Sequence, residues 1–476
     1  MSESTYKELQ PQCLVADALY PAWMAVDARP GLKSFDPAAF ETFRFLSREI
    51  DDDGVVTLRY ALDEEIEFAE RFELPRGTRV SEADRERVEG ILALLHWTAG
   101  VSYFKTATPP SVDCDPCPPA AASLLDALYS EGLGEFAFTN ELPGLPEPKF
   151  PAGGSPEPAP VLKTGGRTLV PIGGGKDSAV ALEVVRQAGG EPALFSVGDA
   201  GPIARTAAVA GLEHLVVRRR LDPGLGELNR AGALNGHVPI TAIISCVAVL
   251  TAALRGFDAV AMANERSASH GNLDWGGIDV NHQFSKSIRA ERLLREALAA
   301  VGAGVEYFSV LRPASELAIA RAFARMTEYH GAFSSCNTNF RLDSPTATPQ
   351  WCCDCPKCRF VFLVMAPFSE PQHLREVFGR DLLEEDAQFE GFALLTASGG
   401  AKPFECVGEE EESRAAMRML AVDPSWREHS VVRRLAAEVL PQFQPDDGVP
   451  EQALALSDDH SVPAALMPAV RAILGS

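Results

Sequence analysis

Three glycines followed by a lysine, an aspartate and a serine stand at the centre of Thr168-Leu-Val-Pro-Ile-Gly-Gly-Gly-Lys-Asp-Ser178. The apolar run before them predicts a buried strand. Ala179-Val-Ala-Leu-Glu-Val-Val185 after them has a helical pattern. A strand, a glycine turn and a helix N-terminus in that order make an anion cradle. Bare backbone lets several N–H groups converge, and the helix dipole adds positive potential. The guest this predicts is phosphate. The spacing is not that of a Walker loop, which needs four residues between its first glycine and the Gly-Lys pair, and Gly-x-Gly-x-x-Gly is not met either.

A second cluster is Trp351-Cys-Cys-Asp-Cys-Pro-Lys-Cys358, with Cys336 upstream. Cys352, Cys355 and Cys358 follow one another at Cys-x-x-Cys spacing. With Cys336 they can supply four thiolates to a tetrahedral Zn²⁺; an iron–sulfur cluster is the alternative. Cys114 and Cys117 share the spacing but stand alone in a proline-rich stretch, and the expectation there is a surface loop with incidental thiols. Cys13 and Cys246 are expected to be structural.

A third region crowds polar residues between Asn264 and Lys286. Arg266 can fork onto a carboxylate. Lys286 is a point charge at a helix start. His270 and His282 titrate near neutrality. Lys402-Pro-Phe-Glu-Cys-Val-Gly-Glu-Glu410 adds Cys406, a proton carrier if its thiolate is stabilised.

The elements that must position these residues are legible in outline. Residues 1 to about 145 form an α+β unit, with strands from Val55 and from Glu67 and an apolar helix from Val88 to Val101. Residues 146–166, rich in proline and glycine, read as a linker. From 167 to 384 strands at 168–172, 192–197, 213–219, 258–263 and 305–310 alternate with helices at 178–188, 201–210, 238–255, 286–300 and 314–329. Such alternation predicts an α/β fold, a parallel doubly wound sheet with ligands at the carboxyl ends of its strands. Residues 385–476 are expected to be mostly helical, with an acidic run at Glu409 to Glu412.

The formal net charge is −23 and the isoelectric point about 4.9. Nucleic-acid binding usually leaves a basic footprint. The run Arg218-Arg-Arg220 sits in a strand-like segment instead, so a small-molecule partner is expected and a nucleic acid is not. No segment offers the ~18 unbroken apolar residues of a membrane span. The opening residues lack the basic and apolar regions of a signal peptide. A cytoplasmic location without a membrane partner follows as an expectation. Ten cysteines then argue for metal binding or reactivity rather than disulfides. Oligomeric state is not legible.

The glycine loop resembles the PP-loop of the ATP pyrophosphatase family, Ser-Gly-Gly-x-Asp-Ser. Gly174, Gly175, Asp177 and Ser178 match, and Gly173 stands where that family has serine. The resemblance implies ATP binding, release of pyrophosphate and transfer of AMP to a substrate oxygen. The cysteines resemble the Cys-Gly-x-Cys-x-x-Cys zinc site of 7-cyano-7-deazaguanine synthase, another PP-loop enzyme, with Cys353 at the glycine position and outside the ligand set.

Together, Pro171 to Ser178, Ala263 to Ser269, Val280 to Ser287, Cys355 to Phe360 and Lys402 to Glu409 resemble the MurL-type epimerases of UDP-N-acetylmuramoyl-L-alanyl-L-glutamate. Trp97 to Lys105 and Gly132 to Phe138 extend the likeness into the first unit. The resemblance implies an ATP-dependent isomerase of peptidoglycan precursor synthesis, acting through an acyl-adenylate on a UDP-muramoyl-dipeptide. In that reading Gly173, Gly174, Gly175, Lys176 and Ser178 hold the pyrophosphate, Lys176 neutralises transferring charge, and Asp177 places Mg²⁺. Asn264, Glu265, Arg266, Asn281 and Lys286 hold the substrate. His282, His270, His237 and Cys406 are the proton carriers, unranked. The runner-up is a ligase, amidotransferase or tRNA-modifying enzyme that adenylates another substrate. From another class, a nucleotide-binding regulator would have less need of Lys176, Asp177 and Ser178 together.

Overall fold

Along four of the strands that follow the glycine-rich linker, successive side chains enter two different cores. The computed structural model describes residues 34–154, 166–340, 350–396, 405 and 407–475. In β5 (Arg167–Pro171) Leu169 joins one core and Val170 the other. In β6 (Glu191–Val197) Ala193 and Phe195 face one way and Leu194 the other. The same alternation runs through β8 (Ala259–Met262) and β11 (Glu306–Ser309). A strand of period two with both faces buried must be covered on both sides. Helices Ile240–Arg255 and Ile288–Ala300 cover one face; helices Lys176–Gln187, Gly201–Ala210, Glu316–Ala324 and Pro356–Met365 cover the other.

The sheet has nine strands in the order β11-β8-β5-β6-β7-β3-β2-β1-β4. Here β1 is Thr42–Ile50, β2 Val55–Leu62, β3 Ile66–Glu73, β4 Ser111–Asp113 and β7 His214–Arg220. The half from β11 to β7 is parallel, so the loops leaving β5, β8 and β11 gather at one edge. β3, β2 and β1 continue it antiparallel, and β4 returns parallel to β1. The fold is thus mixed α/β. A two-stranded hairpin, β9 (Leu273–Trp275) with β10 (Ile278–Val280), stands apart from the main sheet. The strands β1, β4, β9 and β10 carry too little alternation to be legible in the sequence.

The first unit and the parallel half share strand pairing and core. Phe72 pairs with Arg219 across β3 and β7, and Phe43, Tyr60 and Tyr129 belong to the same core as Leu169 and Val217. Residues 155–165 of the linker lie outside the described residues. The basic run of β7 is spent on this seam. Buried Arg219 binds the Glu70 carboxylate and donates to Ser102 Oγ at 2.8 Å. Arg220 reaches Glu73 at 2.5 Å. Cys117 corrects the expectation of a surface thiol: it is fully buried, bridges to Ala152, and burial pushes its thiol up to about 11. Cys246 is buried in helix Ile240–Arg255. Cys13 lies outside the described residues. Among the described residues no helix is long and apolar enough to cross a membrane.

Beyond residue 385 the described chain is helical. The acidic run Glu409 to Glu412 opens helix Glu410–Val422 as a capping box. Glu412 does more than cap. Its Oε1 accepts from Ser267 Oγ at 2.6 Å and from the Glu316 N–H at 2.9 Å, while Oε2 accepts from the Glu409 N–H at 3.0 Å. One buried carboxylate therefore fastens the C-terminal helices to the sheet edge.

Two outcomes follow. Glu70→Ala leaves Arg219 charged and buried without its partner and should cost about 3–5 kcal/mol in urea unfolding, whereas replacing both residues by apolar ones of similar size should cost far less. Burial, with Glu409 beside it, pushes Glu412 from 4.5 up to about 8. The folded chain then keeps a proton that the unfolded chain releases, so this stability is full below about 4.5 and is lost as pH rises through 8. The urea midpoint of Glu412→Gln, relative to wild type, should therefore climb between about pH 5.5 and 8.5.

Candidate active site

β5 delivers the chain to Gly173, Gly174 and Gly175 at the sheet edge. Gly174 has φ +81, and a Cβ there would lie 2.7 Å from the Pro202 carbonyl carbon. Only glycine fits both demands. The Gly174 carbonyl accepts from the Ser334 N–H at 2.9 Å and from Thr206 Oγ1 at 3.4 Å. Gly175 is the N-cap of helix Lys176–Gln187, and no side chain caps it. The backbone N–H groups of its first turn are thus presented at the loop. Ser178 turns back on the loop, accepting from the Gly173 N–H at 3.4 Å and donating to the Gly175 carbonyl at 3.1 Å.

Lys176 is 1% exposed, and its ammonium binds both Asp177 and Glu316. Burial alone would strip its proton. The carboxylates of Asp177 and Glu316 outweigh that and hold the group above the ordinary lysine range. Asp177 is half-buried; desolvation would raise its carboxyl, and Lys176, Lys357 and Lys286 outweigh that and hold it below the usual carboxylate range. Glu316 was hidden in the sequence because Ser315 followed by an acid reads as an ordinary helix cap, which it also is: Ser315 Oγ accepts from the Ala318 N–H at 3.0 Å.

The loop after β8 and the segment after β10 are pinned from beneath. Arg312, 1% exposed, binds Glu291 at 2.9 and 3.1 Å and reaches the carbonyls of Glu265 and Lys286. Asn264 Nδ2 donates to Ser309 Oγ at 3.0 Å, tying the end of β8 to β11. Asn281 Nδ2 donates to the Ala268 carbonyl at 3.0 Å, and its Oδ1 accepts from the Gln283 N–H at 2.7 Å. Glu265 is buried near Glu316. Arg266 turns to the C-terminal segment, where Nη1 donates to the Ala455 carbonyl at 3.1 Å. His270 is exposed and pairs with Glu409. The charge of Lys286 acts on both Asp177 and His237.

Buried His282 groups with half-buried Glu135 and His237. His282 Nδ1 bonds to Glu135 Oε2; His237 Nδ1 is 3.9 Å from the same oxygen. The two imidazole centroids are 4.4 Å apart at 42°. Burial pushes His237 down to about 3, with His282, Lys286 and Lys105 acting in the same sense and Glu135 against. It is therefore neutral near pH 7. Burial would raise Glu135; His282 and His237 outweigh it and hold the carboxyl below its usual value. A carboxylate on Nδ1 fixes the His282 tautomer and the orientation of its ring. The three donor atoms lie within 4.8 Å of one another, close enough for a divalent cation. Lys105 and Lys286 add positive charge there, which favours proton traffic over a second cation. Glu135 lies in the Gly132 to Phe138 stretch, where a first-turn acid again reads as a cap.

The four expected sulfurs converge. Those of Cys336, Cys352, Cys355 and Cys358 lie within 4.8 Å of one another. Backbone N–H groups of Cys352, Asp354 and Cys358 point at sulfurs at 3.4, 3.5 and 3.4 Å. Three of the four sulfurs thus accept a backbone N–H, and the set of four suits a tetrahedral zinc. Cys353 has φ +59, the region that favours glycine, and its thiol points away, 3.3 Å from the Phe378 carbonyl. Cys406 lies outside the described residues.

Comparison with known proteins places this geometry. The MurL N-terminal domain model matches residues 34–310, spanning both the antiparallel strands and the parallel half, and the MurL C-terminal domain model matches residues 332–449. The UDP-N-acetyl-alpha-D-muramoyl-L-alanyl-L-glutamate epimerase of Xanthomonas oryzae pv. oryzae is 42% identical over 447 residues, 93% of this chain and 99% of that protein. Proteins of the same name from Micromonospora sp. and Salinispora tropica are 45% and 44% identical, each over 87% of this chain and over 92% and 90% of their own lengths. No solved structure matches the chain. With both domain models matched in order and such relatives along most of its length, the chain belongs to the MurL family and is an epimerase, an enzyme of the isomerase class.

Proposed function

We propose that this chain inverts the terminal L-glutamate of UDP-MurNAc-L-Ala-L-Glu to the D form, consuming ATP through an acyl-adenylate, with β5, the glycine loop and the following helix acting as a PP-loop. The observation that carries the reading is the uncapped helix start behind Gly173 to Gly175. It sits beside Lys176 and Asp177 at the carboxyl edge of a parallel sheet, in a chain whose relatives are named for this epimerisation. Such a cradle could serve the substrate's own diphosphate; we assign it to a nucleotide co-substrate instead.

The chemistry supplies the reason. A free carboxylate makes its α-hydrogen very hard to remove, because the carbanion would sit beside an anion. Adenylation cancels that charge, and a general base can then take the proton. Gly173, Gly174, Gly175, Lys176 and Ser178 bind the departing pyrophosphate, and Asp177 places the Mg²⁺, which lowers the charge on the phosphates. Cys336, Cys352, Cys355 and Cys358 hold a structural Zn²⁺. Asn264, Glu265, Arg266, Asn281 and Lys286 frame the substrate, Lys286 meeting its carboxylate or diphosphate.

His282, oriented by Glu135, exchanges the α-proton. His237 stands on the same side: rings 4.4 Å apart leave no room for a substrate carbon between them. The return of the proton falls to His270, paired with Glu409, or to Cys406. Water finally releases AMP and the D-glutamyl product.

Incubation with ATP, Mg²⁺ and UDP-MurNAc-L-Ala-L-Glu in D₂O tests the reading. Pyrophosphate together with a deuterated D-glutamyl product is expected. Pyrophosphate without exchange would point to a ligase or hydrolase, and no pyrophosphate from folded protein would remove the ATP reading. His282→Ala should lower α-deuterium incorporation by about 10²–10⁴-fold while pyrophosphate release continues, a split that mere misfolding cannot produce.

A further inference from the structure

The cysteine cluster and the glycine loop are far apart in sequence, yet one side chain joins them. Lys357 lies between Cys355 and Cys358, in the first turn of helix Pro356–Met365. Cys355 is the N-cap of that helix and accepts from the Cys358 N–H at 3.4 Å; Pro356 fixes the next position. When both cysteines of such a turn point to one centre, the residues between them are directed elsewhere. Lys357 is 8% exposed, its ammonium 5.6 Å from the Phe360 ring centroid. It stands 3.7 Å from Glu316 Oε1, on the carboxylate whose other oxygen binds Lys176. Its charge also acts on Asp177. Two lysines thus approach one buried carboxylate, each from the first turn of a different helix.

A triphosphate at the glycine loop brings negative charge beside Asp177 and Glu316. Lys176 is already shared between those two carboxylates. A second cation is needed, and burial beside the loop makes a point charge worth more there than in water. We propose that Lys357 is a nucleotide-phosphate ligand and that the cysteine cluster positions it, so that the cluster serves adenylation as well as stability. The inference rests on the reading of the glycine loop as an ATP site.

The test is calorimetric titration of the protein as isolated with Mg²⁺ and α,β-methylene-ATP, beside Lys357→Met and Lys357→Arg, with metal content and melting temperature measured on each. Lys357→Met should bind about 10- to 100-fold more weakly, the equivalent of one charge-assisted hydrogen bond. Lys357→Arg should recover part of the loss, and metal content and melting should match the wild type. Wild-type affinity in Lys357→Met would overturn the assignment. A wild type that binds no nucleotide would instead remove the ATP site itself. Stripping the metal with a chelator should weaken binding in the wild type and add little in Lys357→Met. Equal weakening in both, or less than one metal per chain as isolated, would overturn the positioning role.

Discussion

A lysine ammonium held out of water is unfavourable unless carboxylates meet it, and the edge of this sheet is organised around meeting that of Lys176. Its main partner, Glu316, belongs to a helix that starts just beyond β11. The backbone N–H of Glu316 is taken by Glu412 from the C-terminal helices. The far oxygen of Glu316 faces Lys357 from the cysteine turn. Four stretches that are remote in sequence therefore meet at Glu316, with its carboxylate between the two lysines. Removing it would leave Lys176 charged and buried, which is why the loop cannot be altered independently of the rest.

Two electrostatic regimes lie side by side. Around the loop, lysines and carboxylates alternate within a buried space, with Asp177 held ionised and Glu412 held towards its neutral form. Around Glu135, the imidazole of His237 is kept neutral by burial and by neighbouring cations. Lys286 acts on both regimes. A chain with a net charge of −23 repels a polyanionic ligand in bulk, so attraction must be concentrated locally. The lysines gathered at this edge provide it.

The sequence made the chemistry-bearing spacings readable because each is constrained locally. A glycine triplet before Lys-Asp-Ser needs its strand and helix. Cys-x-x-Cys steps need only a turn. The alternating strands and helices from 167 to 330 were legible for the same reason, since both-face burial leaves a continuous apolar signature at β5, β6, β8 and β11. What stayed hidden depends on distant partners. Glu70, Glu135, Glu316 and Glu412 each look like surface or capping acids in their own segments, and become functional or structural only through Arg219, His282, Lys176 and Ser267, supplied by other parts of the chain. The antiparallel seam between β3 and β7 was invisible likewise, because the arginines of β7 read as a basic run until the acids of β3 stand opposite them.

Burial at this edge also bears on the order of events. In the proposed reaction an adenylated carboxylate would be open to water, and its hydrolysis before proton exchange would waste ATP and return the starting stereoisomer. Lys176, Glu316, Glu412 and Arg312 are each at most 2% exposed, so this edge of the sheet is closed to solvent. The imidazole of His282 is nearly as enclosed, with its carboxylate partner behind it. A site built this way favours proton transfer while the adenylate lasts and leaves hydrolysis to follow when the substrate shifts or the site opens. The same enclosure explains why His282 is held by a protein carboxylate rather than by water: at 7% exposure its tautomer must be set by a fixed partner, and Glu135 is that partner.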